Sequence, residues 1–178
     1  MSRISARACA FAAAAALFAP QGAFAVEAGQ PAPQFAVASL SGDGSNLSLA
    51  QHRGKVIYVD FWASWCGPCL KAVPALDKLR QEFPASDFQV IAINVDREPE
   101  RAQKFLADHP VGYPSASDPE GKLPAVFGLQ TMPTSYLIDR KGVVRYVHRG
   151  YHAGDDATIR EHIRELLGPE KAVASPAR

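Results

Sequence analysis

Two cysteines stand three positions apart in Trp65-Cys66-Gly67-Pro68-Cys69, where an apolar run gives way to a run with helical spacing. Ahead of the pair, Lys55 to Phe61 is β-branched, apolar and short enough for a central strand. Behind it, Leu70, Val73, Leu76, Leu79 and Phe83 recur at three- and four-residue intervals, so a helix is predicted from Leu70 to Phe83. A strand feeding directly into a helix across a CxxC puts the first cysteine at a helix N-terminus. There, unpaired N–H groups and the positive end of the helix dipole favour thiolate over thiol.

The chain has only three cysteines, Cys9, Cys66 and Cys69. Cys9 falls in a segment expected to be removed, which leaves one pair. A disulfide framework needs more bridges at wider spacing, and a four-cysteine zinc site needs a second CxxC. None of the five histidines lies near the pair in sequence. His148 and His152 have HxxxH spacing but straddle Gly150 at a strand end, so all five are expected at the surface. No metal site is expected, and redox chemistry is the reading the pair supports.

Residues 1–25 have the three parts of an export signal: Arg3 and Arg7, an apolar run from Ala8 to Ala19, and Ala23-Phe24-Ala25 as a small-x-small cleavage site. The run is about 12 residues where a spanning helix needs about 20, so cleavage after Ala25 is expected rather than a membrane anchor. Losing the two arginines takes Lys+Arg from 19 to 17 against 18 acidic residues, a mature formal charge of −1. Nothing in that balance suggests nucleic acid. Disulfides persist outside the cytoplasm, so an exported dithiol makes, shuffles or reduces them, and the short Ala-rich signal points to a bacterial periplasm.

The remaining residues suffice for one domain, read as residues 34–168 after a lead-in at 26–33 and before a loose Ala/Pro/Ser tail at 169–178. Short strands are predicted at Gln34 to Leu40 and Asn46 to Leu49, around the turn Ser41-Gly42-Asp43-Gly44. Phe88 to Val95 is apolar enough for a strand covered on both faces. Helices are predicted from Pro99 to His109 and over Lys122 to Phe127. A hairpin of Thr134 to Asp139 and Val143 to Arg149 turns at Arg140-Lys141-Gly142, and a last helix runs from Asp155 to Leu167 with Ile159, Ile163, Leu166 and Leu167 inward. Alternating strands and helices ending in a hairpin imply a three-layer α/β/α sandwich.

The run Asp60 to Cys69, with Pro74 five residues beyond the second cysteine and Met132-Pro133-Thr134 entering a late strand, resembles the thioredoxin-fold proteins. The export signal and the long interval before that late proline resemble, more narrowly, the TlpA/ResA-like periplasmic thiol-disulfide oxidoreductases. The resemblance spans roughly residues 31–168. It implies a thioredoxin-like sandwich with an N-terminal strand extension and a central strand-helix insert within Phe88 to Phe127. It also implies no cofactor beyond the Cys66–Cys69 disulfide.

On this reading Cys66 is the exposed attacking thiolate and Cys69, one turn deeper, the resolving thiol. Gly67 and Pro68 hold the turn, Pro68 being tolerated in a first helical turn. Pro74 lies inside the predicted helix and bends it. Resemblance makes the Met132-Pro133 bond cis and leaves the Met132 main chain to pair with an extended client segment, Thr134 following it. Asp60 is the expected general base for Cys69, its pKa raised by burial; some relatives place an acid in the insert instead, near Asp96 and Glu98. Trp65 is expected to shape the client contact and Trp62 to be core.

Gly-Pro between the cysteines favours reduction of clients: thioredoxin, with the same dipeptide, sits near roughly −270 mV and the oxidant DsbA near roughly −120 mV. The expected partners are client proteins bearing disulfides and a thiol-type electron donor in the membrane, with the protein itself a monomer. Relatives serve apocytochrome c or copper-site assembly proteins. Gly128-Leu129-Gln130-Thr131-Met132-Pro133-Thr134 has Thr where the cytochrome-specific CcmG-like branch has Glu, which weakens that client class. A peroxiredoxin needs Thr three residues before its reactive cysteine, and Ala63 stands there. An oxidase or isomerase, and a copper chaperone using the CxxC as soft ligands, remain the alternatives.

Overall fold

The computed structural model describes residues 25–168. The predicted export signal, with Cys9, and the predicted tail at 169–178 lie outside the described residues, Ala25 excepted.

The central sheet is built on β3 (Val56–Trp62), whose seven residues are all buried. Alternation divides them: Val56, Tyr58 and Trp62 join one core, and Ile57, Val59 and Phe61 join another on the opposite face. Each fully buried residue of this size contributes roughly 1.5–3 kcal/mol, so the strand anchors both layers. β4 (Phe88–Asn94) pairs parallel to β3 on one side. β6 (Thr134–Ile138) pairs antiparallel on the other, and β7 (Val144–Arg149) continues from it as a hairpin. The hairpin turns at Gly142, whose φ of 83° suits a residue without Cβ.

One face of the sheet carries α1 (Gly67–Gln81) and α4 (Asp155–Leu167), α4 burying Ile159, Ile163 and Leu167 as predicted while Leu166 is only partly covered. α1 runs unbroken across Pro74. α2 (Pro99–Asp108) joins the same core through Ala102 and Phe105. The other face is covered by α3 (Lys122–Phe127), by Val26 and Ala32 of the lead-in, and by Phe35 just after it. The result is the three-layer α/β/α sandwich that the alternation implies.

Two differences from the sequence reading stand out. The N-terminal strands are shorter, β1 (Ala36–Ala38) and β2 (Asn46–Ser48), and form a separate two-stranded sheet. A strand that the resemblance implies within the central insert but that the residue pattern did not locate, β5 (Ser115–Ser117), pairs parallel to β4 and completes the order β5-β4-β3-β6-β7. β5 is the strand of the central insert, following α2. Its outer side meets the β1–β2 hairpin through the bridge Ser39–Ala116 and the Leu40 N–H bond to the Ser115 carbonyl.

Candidate active site

β3 ends at Trp62, and α1 begins five residues later at Gly67. Cys66 is the N-cap of α1: its backbone is extended (φ −92°, ψ 101°), and its sulfur accepts the Cys69 N–H at 3.3 Å. A sulfur thus makes the bond that Ser or Asp makes at an ordinary N-cap. Gly67 and Pro68 occupy the first two helical positions, both exposed, and Pro68 costs no hydrogen bond there. Cys66 and Cys69 are joined as a disulfide with S–S 2.01 Å.

The expectation of an exposed Cys66 needs correction. Cys66 is 5% exposed and Cys69 0%, because in the disulfide the outer sulfur is drawn toward Cys69 and its N–H. The order of depth holds. Trp65 stands 65% exposed beside the pair, whereas Trp62 is wholly buried, packed on Phe105 with its Nε1–H donated to Ser115 Oγ.

Asp60 shares its face of the sheet with Tyr58 and Trp62, the face on which α1 packs. It is 1% exposed. Its Oδ1 accepts the Ser135 hydroxyl at 2.6 Å, while Oδ2 has no hydrogen-bond partner among the described residues. Burial pushes its pKa up to about 7, and the Ser135 bond only partly opposes that. Ser135 is the directly opposed residue on β6, and the sequence reading did not single it out. The signal available was a polar residue in each of two otherwise apolar strands, which gain most by meeting.

Asp96, just beyond β4, is also 1% exposed, but donors surround it. Oδ2 accepts from the Ser64 N–H at 2.9 Å and the Asn94 amide at 2.8 Å, and Oδ1 from the Ser64 hydroxyl at 3.0 Å. Glu98 faces solvent and pairs with Arg101. Of the acids weighed from sequence, Asp60 alone combines burial with an unoccupied oxygen.

Met132, Pro133 and Thr134 lie at the end of the sheet that carries the cysteines, since Thr134 pairs with Phe61. The Met132–Pro133 bond is cis, and Met132 packs on the cluster that contains Cys66 and Cys69. The neighbouring main chain is occupied: the Thr131 carbonyl accepts the Thr134 hydroxyl, and the Pro133 carbonyl accepts the Gly150 N–H.

The histidines are not all superficial. His148 is partly buried, its ring stacked on Tyr58 at 5.8 Å and on His162 at 5.3 Å, with Nε2 3.0 Å from His162 Nδ1. Burial first, and His162 second, push its pKa down to about 4. Its position opposite Ser135 on β7 turns it toward α4, so its partner is His162 and not His152. Among the described residues no group of three or more His, Cys, Asp or Glu is placed to hold a metal ion.

Comparison with known proteins gives this geometry a family. Residues 27–163 match the Redoxin family. The chain belongs to it. This redoxin is 34% identical over 128 residues to the thioredoxin-like protein YneN of Bacillus subtilis, covering 70% of this chain and 73% of YneN. It is 31% identical over 141 residues to the thiol-disulfide oxidoreductase ResA of Bacillus cereus, covering 79% of each. Among solved structures it is similar to a candidate thiol:disulfide interchange protein DsbE from Chlorobium tepidum. That likeness has a TM-score of 0.76 and 38% identity, covering 81% of this chain and all of that one. With its joined CxxC, this redoxin is a thiol-disulfide oxidoreductase of the ResA-like kind.

Proposed function

We propose that the protein works in the reducing direction, taking electrons from a thiol-type donor in the membrane and passing them to disulfides of client proteins. The carrying observation is Cys66 as N-cap of α1, with Cys69 wholly buried behind it and Gly-Pro between them. The Cys66 thiolate attacks one sulfur of a client disulfide. The client S–S bond breaks, a Cys66–client mixed disulfide forms, and the other client sulfur leaves as a thiolate and takes a proton. Asp60 accepts the Cys69 proton. The Cys69 thiolate then attacks Cys66 sulfur, closes the Cys66–Cys69 disulfide and expels the second client thiolate, which is protonated in turn. Two electrons and two protons pass to the client, and no bound group is needed to carry them.

Client binding falls to Trp65, Gly67, Pro68 and the Met132-Pro133-Thr134 segment around the pair. Among the described residues no hydrogen bond takes up the Met132 main chain, which supports pairing with an extended client segment in the manner of strand addition. The likeness to DsbE and ResA supports an exported, periplasmic location. Among the described residues no helix is long and apolar enough to cross a membrane. Clients from cytochrome c maturation or copper-site assembly suit such a site, and a monomer suits brief encounters of this kind.

The deciding experiment is the equilibrium reduction potential of Cys66/Cys69, read by thiol alkylation across a redox-buffer series. A potential below about −220 mV supports the reductase, and one near about −120 mV makes the protein an oxidant.

A further inference from the structure

Asp96 carries a role that the dithiol chemistry above leaves unused. Its carboxylate is buried at the end of β4, and two of its three side-chain hydrogen bonds go to Ser64, two residues before Cys66. The third, from Asn94, is returned by the Asp96 N–H bonding to Asn94 Oδ1 at 3.1 Å, so the carboxylate is fixed from its own strand as well. Consecutive Cα atoms are about 3.8 Å apart, so the Asp96 oxygen bonded to the Ser64 N–H at 2.9 Å lies within about 12 Å of the Cys66 Cα.

We infer that Asp96 is a positioning residue that also sets the field at the dithiol: it clamps the approach to Cys66 and holds a negative charge near the sulfur that must become anionic. That charge disfavours the Cys66 thiolate and tilts the pair toward its disulfide, which makes the dithiol the better electron donor. The inference deepens the reducing direction proposed above and rests on it.

Other charged groups around this corner do not duplicate the effect. Glu98 and Arg101 are exposed and paired with each other, and Arg97 shares with them and with Trp65 a shallow depression at the surface. Asp60 belongs to β3 and bonds to Ser135 rather than to the Cys66 approach, and its own pKa of about 7 leaves it partly protonated at neutral pH. Asp96 is the acid tied to the Cys66 approach by side-chain and main-chain bonds together.

Two variants test this through the equilibrium with glutathione and the pH midpoint of Cys66 alkylation. Asp96→Asn keeps the shape and removes the charge. It is expected to shift the equilibrium toward the dithiol by roughly threefold to tenfold and to move the alkylation midpoint to lower pH, the size set by a unit charge at about 10 Å in a partly screened medium. Ser64→Ala keeps the charge and strips one donor from it. The carboxylate is then less neutralised, and the equilibrium is expected to move by a smaller factor the other way, toward the disulfide.

Opposite signs are the signature of a field. A clamp with only a structural role loosens in both variants and moves both readouts in one direction, or lowers stability and moves neither; either result overturns the inference. Should Asp96→Asn fail to fold, Ser64→Ala decides alone: a shift toward the disulfide supports the inference, and no shift or the reverse overturns it. The reducing direction is judged separately, from the absolute potential of the unaltered protein.

Discussion

Two carboxylates, one within β3 and one just beyond β4, are buried to the same degree, and their surroundings give them opposite characters. Asp60, in the middle of β3, has one hydroxyl for company and an oxygen with no hydrogen-bond partner among the described residues. Asp96, at the end of β4, is held by three donors. Depth alone therefore says little about what a buried acid does. Where donors are supplied the charge is kept, and where they are withheld the carboxyl holds a proton to higher pH and becomes able to trade one. The fold puts the acid with a raised pKa on the sheet face that α1 covers and the acid held by three donors at the loop that delivers Cys66.

Removing the trade gives the largest effect. Asp60→Asn is expected to slow client reduction at neutral pH by about 10²–10⁴-fold, the usual contribution of a positioned acid–base group, and to erase a rate midpoint near pH 7. Single-turnover reduction of a model disulfide across pH 5–9 checks both. An unchanged profile would move the proton transfer elsewhere.

The same variant should change stability with a definite sign. The Asp60 pKa rises from 3.8 to about 7 on folding, so between those values the folded chain binds more protons than the unfolded one, and stability falls as pH rises. The loss is complete above pH 7 and on the order of 4 kcal/mol. Asp60→Asn should abolish this fall and be the more stable protein at pH 8, as urea titrations at pH 4 and pH 8 would show.

Asp96→Ala provides the contrast, leaving the Ser64 N–H and the Asn94 amide without their acceptor. A loss of about 3 kcal/mol is expected, since each buried donor left unpaired costs about 1–3 kcal/mol. A urea midpoint that does not move would mean that water replaces the carboxylate and that the two acids differ less than their surroundings suggest. The mildest change is Ser135→Ala, which takes away the only side-chain hydrogen-bond donor Asp60 has among the described residues. The rate midpoint should climb by about one pH unit, a shift worth about 1.4 kcal/mol, while Asp96-dependent behaviour stays as it was.

Much of this was legible in the sequence. Periodicity located α2, α3 and α4 to within a residue, and the CxxC fixed where α1 begins, because long amphipathic runs and a cap-like turn carry their own signal. β5 carried none. Ser115-Ala116-Ser117 has no β-branched residue, and it is a strand only because β4 and the β1–β2 hairpin flank it. Asp60 could be suspected from its apolar neighbours, but its partner Ser135 depends on strand register across 75 residues. His148 was misjudged for the same reason, since stacking on Tyr58 and His162 comes from two elements that its local sequence does not name. Local chemistry could be seen in advance, and whatever depended on pairing between distant strands could not.

The Cys66 sulfur caps α1 as well as carrying the reaction. An ordinary cap keeps its covalent state for the life of the protein, whereas this one, in the proposed reaction, passes between a bridged and a free sulfur with every turnover. In the bridge the sulfur that accepts the Cys69 N–H is also tied covalently to Cys69, and once reduced it holds the first turn of α1 by that hydrogen bond alone. Oxidised and reduced forms should therefore differ in how firmly that turn is held. A client or donor that touches Gly67 and Pro68 would then meet a stiffer or a softer surface according to the state of the pair.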